Sequence, residues 1–196
     1  MQRNAVIPPV QSSFLSCPKD IELILNKLFK ESNPYSSWLK RLLIINMPDC
    51  LDTSITKYDS VVNKYSVKDL FDKQYLRQTP RLEFNEHEDV QSYIMISFDN
   101  FTTNAVNPQF KDCIVNFDII CHTKQWELEN FMIRPLMIAG YIDGILNHKR
   151  LSGVGEFLFL GCNEIILDEN LAGYTLSYSA IHFSEDDAKL EALSSK

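Results

Sequence analysis

The spacing of hydrophobic residues changes along this chain, and each change marks a predicted element. Ile21, Ile24, Leu25 and Leu28 recur at the 3.6-residue spacing of a helix with one buried face. Pro18 falls in the first turn, where a missing N–H costs no hydrogen bond. A second, shorter helix is predicted after Asn33-Pro34, with Trp38, Leu39 and Leu42 on one side, and the chain leaves it at Met47-Pro48. From Val90 the period drops to two. Ile94, Ile96 and Phe98 alternate with Tyr93, Met95 and Ser97, and a following strand sets Cys113, Val115, Phe117, Ile119 and Cys121 against Asn116, Asp118 and His122. One face of this pair is buried and the other is wet or at an interface.

The helical period returns over 134–147, opened by Pro135 and striped with Ile138, Ile142 and Ile145. Gly153 and Gly155 end it. Two further strand-like runs, 157–167 and 174–183, are joined through Asp168-Glu169-Asn170 as a hairpin. Strand, strand, helix, strand, strand predicts an α+β fold: an antiparallel sheet of four strands or slightly more, covered by helices on one face, with N-terminal helices and an irregular insertion.

Three stretches fall outside this pattern. Residues 1–16, with Pro8-Pro9, read as an extended N-terminal arm. Residues 49–89, rich in Asp, Lys, Tyr and Asn, read as an excursion from the core, with an acidic tip at Glu86-His87-Glu88-Asp89 and a short helix capped by Ser66 and Asp69. Residues 184–196 open on a second cap, Ser184 to Asp187, and form a polar tail. The expected organisation is an arm, one α+β domain over 17–183 and the tail. The chain has 196 residues, more easily one core than two.

Composition narrows the function classes. With 45% hydrophobic and 23% charged residues the chain is that of a globular protein. The net charge of −7 comes without any Lys or Arg block, which argues against wrapping nucleic acid and suits a surface past which DNA slides. No apolar run reaches the roughly 20 residues of a membrane span, and no secretory leader is read at the start, so no membrane partner is expected. The five cysteines are odd in number and widely spaced, as buried, reduced residues are.

Candidate chemistry is thin. The acidic cluster around His87 lacks the glycine-turned loop of a cation site. Cys121 and His122 are adjacent strand residues facing opposite sides, which predicts a buried thiol beside an exposed imidazole rather than a ligand pair. Gly153-Val154-Gly155 follows a helix, whereas phosphate-binding glycines precede one. No serine, zinc or thiol signature pairs with His87, His122, His148 or His182. No catalytic residue, metal or cofactor is assigned, and the protein is not expected to be an enzyme. Met137 and Tyr141 are expected to flank the core stripe or touch a neighbouring subunit. The 12 Phe and 8 Tyr exceed what one sheet-and-helix core hides, which points to aromatics at subunit contacts.

The second half of the chain resembles a known class. Ile114-Val115-Asn116-Phe117-Asp118-Ile119-Ile120-Cys121-His122, Arg134-Pro135-Leu136 with 138–147, Gly153-Val154-Gly155 and Ala172-Gly173-Tyr174-Thr175-Leu176 look like tailed-bacteriophage tail-terminator and neck (head–tail joining) proteins. The resemblance covers about 90–183. It implies a small antiparallel sheet flanked by helices, oligomerised into a ring that caps the tail tube or joins it to the head and lets DNA pass. It implies as partners a homo-oligomeric ring, hexameric or else twelve-fold, and neighbouring neck, connector or tail-tube proteins. DNA would pass the lumen without sequence-specific binding, and the protein would reside in the virion after assembly in the host cytoplasm. The long N-terminal portion departs from the simplest members and leaves the layer of the particle open. Loops are the expected contacts: Asn100, Phe101, Asn107 and Pro108 in one, Asp168, Glu169 and Asn170 in the other, together with the termini. Two other readings stand beside this one, a small-molecule binding domain or enzyme with a pocket between helix 134–147 and the sheet, and a cytosolic adaptor binding a peptide along a sheet edge.

Overall fold

The computed structural model describes Phe14 and residues 17–30, 34–78, 90–105, 110–151 and 154–182. The expected arm, apart from Phe14, the acidic tip around His87 and the polar tail lie outside the described residues.

Among the described residues five α-helices and seven strands follow in the order α1 (Cys17–Phe29), α2 (Pro34–Ile44), α3 (Thr56–Val62), α4 (Val67–Asp72), β1 (Leu76–Arg77), β2 (Ser92–Thr103), β3 (Lys111–His122), α5 (Arg134–Leu146), β4 (Arg150–Leu151), β5 (Gly155–Glu156), β6 (Leu158–Ile166) and β7 (Leu171–His182). The main sheet has the order β1-β2-β3-β7-β6, and β4 with β5 makes a separate two-stranded ribbon. The α+β expectation holds. β2, β3, β7 and β6 are antiparallel to their neighbours, and β1 adds a two-residue parallel pairing at Ile94 and Met95 that makes the sheet mixed. Neither β1 nor the β4–β5 ribbon is long enough to leave a period in the sequence.

All the helices lie on one face. The buried residues Ile24 and Leu28 of α1, Leu39, Leu42 and Leu43 of α2, Val62 of α3, Leu70 of α4, and Ile138, Ile142 and Ile145 of α5 share one core with Ile94, Ile96, Val115, Phe117, Ile119, Leu176 and Tyr178 of the sheet. Each of these side chains contributes roughly 1.5–3 kcal/mol by leaving water. We call this the helical face. The opposite, open face carries a small buried cluster of Tyr93, Ile120 and Leu171 with Ile165, and a polar ladder in which Thr175 donates to Asp118 (2.6 Å) and Ser177 to Asn116 (2.7 Å).

The stretch read as an excursion divides in two. Residues 79–89 lie outside the described residues, while 49–78 pack into the core through Cys50, Val62, Leu70 and Leu76. A buried arginine fastens this region. Arg41 forms a paired contact with Asp59 (3.0 and 2.8 Å) and donates to the carbonyls of Cys50 and Asp52. The Ser66–Asp69 capping box is formed in both directions. α3 leaves no helical period in the sequence because only Tyr58 and Val62 of its seven residues are buried.

Candidate assembly surface

An edge strand exposes a row of unpaired backbone N–H and C=O groups, so its sequence shows whether it is meant to stay open. Among the described residues β6 is such an edge, and apart from the Phe159 N–H, which donates to Asn147 Oδ1 (3.4 Å), it is nearly devoid of protection. Its nine residues, LFLGCNEII, contain no proline, no lysine and a single charge, Glu164. Leu158, Phe159, Leu160 and Ile166 are exposed, Ile166 at 71%, and Leu167 beyond the strand is exposed as well. The helical layer does not reach this far: α5 packs over β3 and β7. Of the β6 side chains on the helical face, Phe159 meets the ring of Tyr178 at 6.1 Å, while Cys162, Glu164 and Ile166 are left exposed. A bulge between Phe159 and Gly161 is the one irregularity in the strand.

The loops read as contacts lie at opposite ends of the sheet. Thr103 pairs with Lys111 at one end, and His122 with Leu171 at the other. The twelve residues of β3 between them span about 36 Å. Residues 100–103, expected to be loop, belong to β2, because the strand continues through a bulge between Asp99 and Thr102. Asn100 takes the left-handed φ of 51° there, and its N–H donates to its neighbour Asp99. Phe101 is half-buried, stacked on Phe98 at 6.2 Å and edge-on to Phe14 at 4.9 Å. Asn107 and Pro108 lie outside the described residues. In the β6–β7 turn, Asp168 accepts from the N–H groups of Asn170 (2.6 Å) and Leu171 (2.8 Å), so its carboxylate shapes the turn. The Asn170 carbonyl accepts from the Thr123 N–H, and the side chains of Glu169 and Asn170 are both exposed.

No spacing pattern along the chain singles out Phe131. It is fully exposed, and it follows Asn130 in a pair of consecutive left-handed residues, φ 57° and 63°. Such a conformation costs a non-glycine residue roughly 1–2 kcal/mol. The tip is held by Leu128 donating to Met132, Glu129 donating to Pro48, and a bridge between Glu127 and Ile133. A rigid, strained turn thus displays one aromatic ring, the type of anchor common at protein contacts.

The remaining chemistry is subdued. His122 is buried, where an exposed imidazole was expected: its Nδ1 accepts from the Lys124 N–H to cap a short turn. Burial, then the Lys124 charge, lowers its pKa. The Cys121 thiol is pushed up to about 11 by burial, so it stays protonated at neutral pH. Among the described residues no three His, Cys, Asp or Glu side chains gather as a metal site, and no helix is long and apolar enough to cross a membrane. Ile138 and Ile142 fill the space between α5 and the sheet against Phe117 and Tyr178. Met137 and Tyr141 pack partly buried at the edge of this core, Tyr141 beside Trp38 at 5.6 Å.

A protein-family model described as YomW matches residues 36–180, most of the chain. No curated protein matches it.

Proposed function

Since the chain belongs to the YomW family of phage-derived proteins, we propose that it is a structural subunit of the neck or tail end of a phage particle, assembling with copies of itself into a ring. The observation that carries this reading is β6, a long apolar edge strand with almost none of the usual protection against pairing. Left open on a free monomer, such an edge invites aggregation, whereas in an assembly it is a lateral contact. Loops at the two ends of the sheet would then reach the layers above and below.

A tail terminator or head–tail joining ring, hexameric or twelve-fold, fits this shape. The net charge of −7 suits a lumen through which DNA passes without adhering. The tests are mass measurement and negative-stain imaging of the purified protein, alone and with neck and tail proteins of the same phage. Closed rings are expected. A protein that stays monomeric under all these conditions would overturn the proposal. A peptide-binding adaptor would use the same β6 edge, but it would bind an extended peptide as a monomer and form no ring.

A further inference from the structure

Helix α5 is apolar on its outer side as well as its inner one, and we infer that this outer stripe is the docking site for residues 5–10 of a neighbouring copy, the apolar part of the N-terminal arm. The inference rests on the assembly reading above and names one contact that would join neighbours.

α5 has two charged residues, and both serve internal partners. Arg134 is buried and donates to the Leu42 carbonyl, and Asp143 accepts from Tyr178 (2.8 Å). Outward there remain Leu136, Gly140 and Gly144, all exposed, with Met137 and Tyr141 partly buried beside them. Residues at these spacings share one side of a helix, and on a surface helix that side normally carries charge. A stripe of two turns without charge belongs at a contact. A Cβ at Gly140 or Gly144 meets nothing within 4 Å, so the helix backbone is open to close approach.

Aromatic rings border the stripe. Tyr141 lies 5.6 Å from Trp38 and 5.9 Å from Tyr35, at interplanar angles of 54° and 35°. Rings inclined in this way leave slots between them, and such slots take the proline rings of an extended segment.

The arm supplies that chemistry. Ala5-Val6-Ile7-Pro8-Pro9-Val10 is an uncharged apolar run between Gln2-Arg3-Asn4 and Gln11-Ser12-Ser13, and it holds the one proline pair of the chain. Consecutive prolines preset an extended backbone, so docking costs little ordering entropy. The arm is also long enough. Its root is Phe14, edge-on to Phe101 at 4.9 Å with the Lys111 ammonium over its ring at 4.8 Å. Residues 5–10 precede that anchor by four to nine positions, roughly 13–30 Å of extended chain. The five-stranded sheet is about 19 Å wide, so this segment reaches over an adjoining copy. Leu136 and Tyr35 are 41% and 44% exposed in the single copy, which assigns the contact to a neighbour's arm.

The test is photo-cross-linking of the full chain with a benzophenone amino acid in place of Ile7, in assemblies mixed from heavy-isotope and ordinary subunits. Mass spectrometry should place the cross-link on peptides covering 35–38 or 136–144, in pairs of mixed isotope that join two copies. Tyr35→Ala and Gly140→Leu, both at exposed positions and checked for folding by circular dichroism, should each cut the yield about fivefold. Pro8→Ser with Pro9→Ser should do the same from the other side of the contact. Cross-links confined to single-isotope pairs would mean that the arm folds onto its own domain and would overturn the exchange. Rings visible by microscopy whose cross-links map elsewhere, or whose yield ignores these substitutions, would overturn the arm contact and leave the ring reading standing. Absence of any assembly would overturn both.

Discussion

The guanidinium of Arg134 donates to the carbonyl of Leu42 at 2.6 Å, joining the first residue of α5 to the last turn of α2. The same side chain donates to the carbonyls of Ile45 (3.0 Å), Met47 (3.0 Å) and Gln125 (2.8 Å). The last carbonyls of a helix lack partners of their own and carry partial negative charge, so a buried cation there satisfies several acceptors at once. Substitution Arg134→Met should destabilise the fold by about 3 kcal/mol, since charged hydrogen bonds are lost and buried carbonyls orphaned. Arg134→Lys should recover only part, because a compact ammonium cannot span the same acceptors. Urea denaturation at neutral pH measures both.

Asp59 links α3 to Arg41, and the hydrogen bond from Arg41 holds its carboxyl below the usual carboxylate range, with Ser37 assisting. A folded-state pKa depressed in this way stabilises the protein above the ordinary carboxylate pKa, and the contribution is lost as pH falls through the folded value. The half-exposed carboxylate limits the effect to on the order of 1 kcal/mol. Urea midpoints from pH 7 down to pH 3 should fall more steeply for the natural protein than for Asp59→Asn. Parallel slopes would show the pair contributes nothing.

Gly173 of β7 pairs with Ile120 of β3, and a Cβ built there runs into the Ile119 carbonyl. Backbone cannot yield as a flexible side chain does. Gly173→Ala should therefore cost about 2–3 kcal/mol, read as a lowered melting temperature.

Gly140 and Gly144 behave oppositely, for a Cβ at either meets nothing within 4 Å. Each substitution to Ala should stabilise α5 by about 0.5–1 kcal/mol. If that surface touches a neighbour, the same variants will gain melting temperature and lose assembly, a combination that comparing thermal scans with sedimentation would reveal.

Phe131 offers a related separation. Phe131→Gly relieves a left-handed backbone and removes an exposed ring, so the monomer should gain about 0.5–1 kcal/mol. Weaker association with a partner layer is expected at the same time. Unchanged association would leave the strained turn without a contact role.

Local spacing along the chain sets the elements whose periods are long. The stripe Ile21 to Leu28, the alternation through Cys113 to Cys121, the Pro135 start of α5 and the Ser66–Asp69 cap all concern groups a few residues apart, and local spacing dictates their geometry. What those elements face follows from long-range packing. The apolar run that became β6 reads like a buried strand, and nothing within it reveals that α5 stops over β7 and leaves an edge open. The same holds for His122, expected to be exposed and found buried, and for Arg134, whose acceptors Leu42, Ile45 and Met47 lie in a distant part of the chain. Edges, burial of polar groups and displayed aromatics such as Phe131 depend on which segments become neighbours, and pairing between remote segments leaves no period in the chain.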